Sequence, residues 1–182
     1  MIFTKTSLED AFIVELEKKE DHRGFFARSW DTNEFAKHNL NHNLVQCNIS
    51  FSKKRGTLRG MHYQTKPFEE SKLIRCTKGK IFDVIIDLRS KSKTYKKWFG
   101  VELSQENYKM LYVPEGFAHG FQSLEDDTEI FYQVSQFYTP KAECGIHWND
   151  PSFNIKWPID EKIITEKDNS WILYDEKTSL TQ

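Results

Sequence analysis

From residue 44 to residue 137 the chain repeats one theme: a short alternating apolar run closed by turn residues. Residues 81–88, IFDVIIDL, show it most cleanly. Successive side chains of a strand point to opposite sides, so Phe82, Val84, Ile86 and Leu88 share one face and Asp83 and Asp87 the other. The same reading predicts strands over residues 11–17, 44–52, 55–64, 73–77, 97–103, 108–113, 117–124 and 128–137. Turn chemistry separates them at Lys78-Gly79-Lys80, Ser104-Gln105-Glu106-Asn107, Pro114-Glu115-Gly116 and Glu125-Asp126-Asp127. Strands this short and this regularly spaced indicate an all-β sandwich or barrel, here a jelly roll. Helices are few and peripheral. Asp31 and Thr32 are N-cap candidates for one that reaches about residue 39, and the polar end, residues 161–182, offers another. Residues 18–24 read as a charged turn, and the chain after Pro140 as irregular and rich in Trp, Pro and Asp.

The 182 residues make one domain, 1–182, and 38% hydrophobic with 14% aromatic residues supply a core rich in large rings. A net charge of -1 argues against bulk attraction to nucleic acid. No apolar run approaches the roughly 20 residues that span a bilayer, and charge appears in MIFTKTSLEDAF too early for a secretory signal. Cys47, Cys76 and Cys144 are odd in number, widely spaced and match no zinc pattern, as expected of small thiols in a reducing cytoplasm.

The chemistry concentrates in RGTLRGMHYQ, residues 55–64. Plain alternation puts Arg59, Met61 and Tyr63 on one face and Leu58, Gly60, His62 and Gln64 on the other, a cation and a titratable base on opposite sides. A guanidinium in mid-strand is costly to bury unpaired, so Arg59 needs an anion, a protein carboxylate or a phosphate. Arg23, in DHRGFF, is a second candidate of that kind, and Lys72 opens an otherwise apolar strand. The segment VPEGFAHGF, residues 113–121, resembles the second motif of cupins, whose histidine faces the barrel lumen; here that is His119. The first cupin motif needs H-x-H, but this chain reads His62-Tyr63-Gln64. A divalent metal wants three or four side-chain ligands, so the expectation is a cupin-type barrel that binds no metal.

DHRGFF, QCNIS, RGTLRGMHYQ, KLIRC, GKIFDVIIDLR, SKTYKKW, VPEGFAHGF and GIHWNDPSFNIKWP together resemble the dTDP-4-dehydrorhamnose 3,5-epimerase family over about residues 12–168. That resemblance implies a cofactor-free isomerase that inverts C3 and C5 of a nucleoside-diphosphate 4-keto sugar. It implies His62 as base with Asp168 as its partner, Lys72 at the enolate oxygen and Tyr132 as proton donor on the far side. It carries Arg23 and Arg59 to the diphosphate, Phe26, Gln46 and Asn48 to the pocket, His119 to its lining and Tyr138 to the aromatic on which the base packs. It also implies a homodimer with shared sites. Three positions depart from the family's pattern. Arg28 stands where an acid on the nucleotide side is usual, Glu70 where glutamine is usual, and Cys47 where a polar residue is common. Arg28 keeps open C3- or C5-only action on a CDP- or GDP-linked 4-keto hexose or heptose. The alternatives from other classes are a non-catalytic sugar-nucleotide-binding cupin and a metal-dependent cupin oxygenase or isomerase.

Overall fold

A computed structural model describes residues 1–175; the last part of the predicted polar end, 176–182, lies outside the described residues. Two antiparallel sheets face each other. The first, in the order β1-β2-β10-β7-β12-β5, is built from β1 (Ile2–Lys5), β2 (Phe12–Glu15), β5 (Gln46–Ser52), β7 (Lys72–Lys78), β10 (Met110–Val113) and β12 (Thr128–Val134). The second, in the order β13-β6-β11-β8-β9, is built from β6 (Leu58–Gln64), β8 (Lys80–Asp87), β9 (Trp98–Ser104), β11 (Phe117–Ser123) and β13 (Glu143–Gly145). This is the expected cupin-type jelly roll.

The two sheets bury three apolar layers rather than one. Between them lies the inner core, with Ile74, Ile81, Ile85, Leu111, Phe121 and Ile130. Behind the five-stranded sheet, Leu58, Met61, Val84, Ile86 and Ala118 pack under Ile146, Phe153 and Trp157 of the late segment. Behind the six-stranded sheet, Phe12, Val14 and Met110 pack under Phe35 of α1 (Thr32–Lys37). The irregular tail rich in Trp and Pro is therefore a lid over an apolar sheet face. The Gln122 side chain fastens it, donating to the Ile159 carbonyl at 2.9 Å and accepting from the Ile159 N–H at 3.1 Å.

This layering explains the alternation in β8. Its apolar row, Phe82, Val84 and Ile86, faces the tail, so the row carrying Asp83 and Asp87 faces inward, where both acids are completely buried.

Four strands depart from the sequence reading, and one expected helix is shorter than the segment that suggested it. Residues 18–24 are not a simple turn: β3 (Lys19–Asp21) and β4 (Gly24–Phe26) pair as a small exposed hairpin. Strands β1 and β13 were not expected; both are short edge strands whose pairing partners, not their own periodicity, decide their conformation. The helical segment in the polar end is one turn, α2 (Glu166–Asn169), capped by the Thr165 hydroxyl, which accepts from the Asp168 N–H.

Candidate active site

The site begins with a slip in register. Strand β6 lies against β11, with His62 opposite His119 and Arg59 opposite Phe121. Three steps on β6 thus match two on β11, so β6 carries one extra residue, a β-bulge. His119 and Phe121 share a face, hence Arg59 and His62 share one too. The expected opposition of base and cation is wrong, because plain alternation cannot register an inserted residue. Instead Leu58, Met61 and Tyr63 turn outward to the core under the tail. Gly60 makes the bulge feasible: its φ is +129°, and a Cβ there would lie 2.5 Å from the Gly120 Cα.

His62 is partly open, its side chain 31% exposed, and its Nε2 lies 2.7 Å from Asp168 Oδ1. The partner comes from 106 positions away, on α2, and is itself buried. Burial pushes the Asp168 carboxyl up, but hydrogen bonding and charge from His62 outweigh it and hold it below the usual carboxylate value. With Nε2 on the carboxylate, Nδ1 is the nitrogen left to take a proton.

Across the lumen stand Lys72 and Tyr132. Lys72 pairs in register with Val134, and Tyr132 with Ile74, so all four side chains share the inner face of the six-stranded sheet. Burial, then the negative charge of Glu70, pushes the Tyr132 phenol above its ordinary value, while Arg59 pulls it down. Asn48 lies opposite Tyr132 and Gln46 opposite Val134, which brings both to the same face. The Gln46 Oε1 accepts from the Tyr138 N–H at 2.7 Å, and the Tyr138 hydroxyl donates to Glu143. Tyr138 is more than half exposed at the rim. Arg59 donates to the Phe51 carbonyl at 3.0 Å, and its buried Nε has no hydrogen-bond partner among the described residues. A carboxylate was one of its two expected partners, and none is paired with it among those residues.

His119 is buried, with Nε2 2.6 Å from Asp83 Oδ1. Sequence reading did not place Asp83 among the site residues, although it had assigned Asp83 to the polar row of β8. What it lacked was the direction of that row. Gln64, in place of a second motif histidine, is consumed by backbone: it donates to the Phe68 and Phe137 carbonyls and accepts from the Thr139 N–H. Among the described residues no three His, Cys, Asp or Glu side chains cluster as a metal site.

Three predicted binding residues are not brought to this lumen within one chain. Arg23 is 77% exposed and paired with Asp21 at 2.6 Å on the β3–β4 hairpin. Phe26 is 66% exposed on the same hairpin. Arg28 binds Asp31, the α1 cap, at 2.8 Å, beside a cavity of about 230 Å³ with Met1, Glu17 and Glu34. The larger cavity, about 650 Å³, lies elsewhere, among Asp10, Asn41, Lys66, Glu69 and Arg89.

Comparison with known proteins shows the family. The model of the dTDP-4-dehydrorhamnose 3,5-epimerase family matches residues 5–176. An enzyme of that name from Methanothermobacter thermautotrophicus is 45% identical over 173 residues, 93% of this chain and 92% of the relative. The crystal structure of the Elizabethkingia anophelis enzyme of that name superposes with a TM-score of 0.93 at 39% identity, covering 96% of each chain. The structure from Legionella pneumophila, solved in complex with dTDP-4-keto-L-rhamnose, superposes with a TM-score of 0.88 at 35% identity, covering 94% of this chain and 92% of that one. The chain therefore belongs to the dTDP-4-dehydrorhamnose 3,5-epimerase family, whose members are isomerases.

Proposed function

We propose that this chain inverts C3 and C5 of a nucleoside-diphosphate 4-keto-6-deoxy sugar, converting dTDP-4-dehydro-6-deoxy-D-glucose to dTDP-4-dehydro-L-rhamnose. The observation that carries the reading is the His62–Asp168 pair on one wall of the lumen facing Lys72 and Tyr132 on the other. Both carbons flank the C4 carbonyl, so loss of a proton from either forms an enolate on the C4 oxygen. His62 Nδ1 removes the proton, and Asp168 fixes the ring's tautomer and stabilises the imidazolium. The Lys72 ammonium stabilises the enolate oxygen. The Tyr132 phenol, protonated at neutral pH as an ordinary phenol is and held so more firmly by burial, delivers one to the opposite face and inverts the centre. The sum is a proton exchanged for a proton, with no net oxidation. Arg59, on the same face as His62, holds the diphosphate through charge-assisted bonds, and Gln46, Asn48 and Tyr138 border the sugar.

The protein acts as a homodimer in the cytoplasm. Among the described residues no helix is long and apolar enough to cross a membrane. The exposed Ile49 and Phe51 of edge strand β5, and separately Phe26 on the hairpin, are apolar side chains that a second copy covers. In this reading Arg23 and Phe26, far from their own lumen, complete the partner's site, and Arg28 meets the nucleotide there. Mixing Arg23→Ala and His62→Ala proteins would restore activity if sites are shared, and would not if each chain is self-sufficient.

The deciding experiment is NMR in deuterated buffer with a panel of dTDP-, CDP- and GDP-linked 4-keto sugars. Deuterium at both C3 and C5 of the dTDP sugar supports the proposal. Label at one carbon alone restricts the enzyme to mono-epimerisation, turnover of another nucleotide reassigns the substrate, and no exchange with any of them overturns the reading.

A further inference from the structure

Lys72 does not stand alone. Its Nζ lies 2.9 Å from Glu70 Oε1, and only 11% of the lysine side chain and 12% of the glutamate side chain are exposed. The residue between them is fixed. Buried Ser71 donates its N–H to the Ser135 hydroxyl at 2.9 Å, and its carbonyl accepts from the Ser135 N–H at 3.1 Å. Glu70 and Lys72 therefore leave a clamped backbone two positions apart, on one side of an extended segment. Tyr132 is on β12, on that same face. We propose that Glu70 is a positioning residue of the reaction, tying Lys72 to the Tyr132 side of the lumen so that ammonium and phenol meet the sugar as one preset group.

The inference rests on the epimerase reading above but names a residue that reading does not use. Its physical basis is geometric. A lysine carries four rotatable bonds and much rotamer freedom, and an ammonium that must meet an enolate oxygen gains from being held before the substrate arrives. A near-buried carboxylate at salt-bridge distance does that. It has a second effect on Tyr132, since its negative charge opposes formation of phenolate. The other charged or titratable groups on the inward faces are Arg59 and His62 on β6, with Asp168 on His62, His119 on β11, Asp83 and Asp87 on β8 and Cys76 on β7; the inward residues of β5, Gln46 and Asn48 among them, are neutral. Of these, Arg59 acts on the phenol against burial and Glu70, which together hold the proton on Tyr132.

The test uses Glu70→Gln and Glu70→Ala in the full-length protein, with thermal melting to confirm folding. Glu70→Gln keeps an acceptor for Lys72 and removes only the charge. It should keep kcat at neutral pH within about threefold while moving the alkaline limb of the pH profile down by about 0.5–1 unit. Glu70→Ala loses the tether as well, and kcat should fall about tenfold or more with KM changed far less. Independently of turnover, ring-labelled tyrosine ¹³C NMR, with the resonance assigned by Tyr132→Phe, should show Tyr132 ionising at lower pH in Glu70→Gln. The proposal is overturned if Tyr132 titrates identically in parent and Glu70→Gln, or if a folded Glu70→Ala keeps the parent kcat. If Tyr132 ionises at lower pH in Glu70→Gln than in the parent, but the parent exchanges no 4-keto sugar, the epimerase reading falls instead.

Discussion

His62 and His119 sit opposite each other on neighbouring strands, each with Nε2 on a carboxylate, at 2.7 Å from Asp168 and 2.6 Å from Asp83. The chemical groups are the same and the settings differ. The His62 ring is 31% exposed and its acid arrives on a one-turn helix from the end of the chain. The His119 side chain is 10% exposed, and Asp83, on the adjacent strand β8, is completely buried with Oδ2 lacking a hydrogen-bond partner among the described residues. Exposure lets a substrate reach the first pair. The second is wedged into the floor, where an acid that lost its histidine would be a buried and wholly unsatisfied group. One arrangement suits proton transfer and the other suits holding the lumen in shape.

That contrast can be broken by mutation. The largest effect is expected from His62→Ala, which should lower deuterium exchange into substrate about 10³-fold with little change in melting temperature. Unchanged exchange would remove His62 as the base. Asp168→Asn should follow, with kcat down about 10²-fold and KM near the parent's, since the imidazole loses its orienting anion but not its place. Asp83→Asn should act the other way round, costing about 1–3 kcal/mol of stability in urea denaturation and less than tenfold in kcat. If it instead matched Asp168→Asn in kcat without loss of stability, the two pairs would be chemical equals and the distinction would fall.

The smallest effect is the acid dependence of stability carried by Asp168. Its carboxyl is held below the ordinary 3.8, so the folded form prefers it ionised. That contribution is complete above the unfolded value and is lost as pH falls through the lower, folded one. Parent and Asp168→Asn should therefore differ in urea midpoint above the ordinary carboxylate range, and that difference should narrow as pH falls through and below it.

Much of this site was legible before any fold was known. Lys72, Tyr132, His62 and Asp168 were named from the family resemblance, and all four are carried on the walls of one lumen. The strands that carry them follow from period-2 patterning. What escaped the reading shares one cause. The face occupied by Arg59 depended on the bulge at Gly60, whose need is set by Gly120 on another strand. The role of Asp83 depended on which side of β8 the tail would cover. The exposed hairpin of Arg23 and Phe26 looked like a turn because two three-residue strands carry no measurable period.

The sequence by itself determined the class of fold, the inventory of acids, bases and cations, and the Gly60 without which the bulge could not form. These are local matters: alternation is a property of neighbouring residues, and a missing Cβ is a property of one. Only the tertiary structure decided that the base and the cation of one strand face the same way. It alone decided that each histidine has its own acid, and that Lys72 is already held by Glu70. Those are relations between strands and segments brought together by packing, and no spacing along the chain encodes the register in which two sheets close.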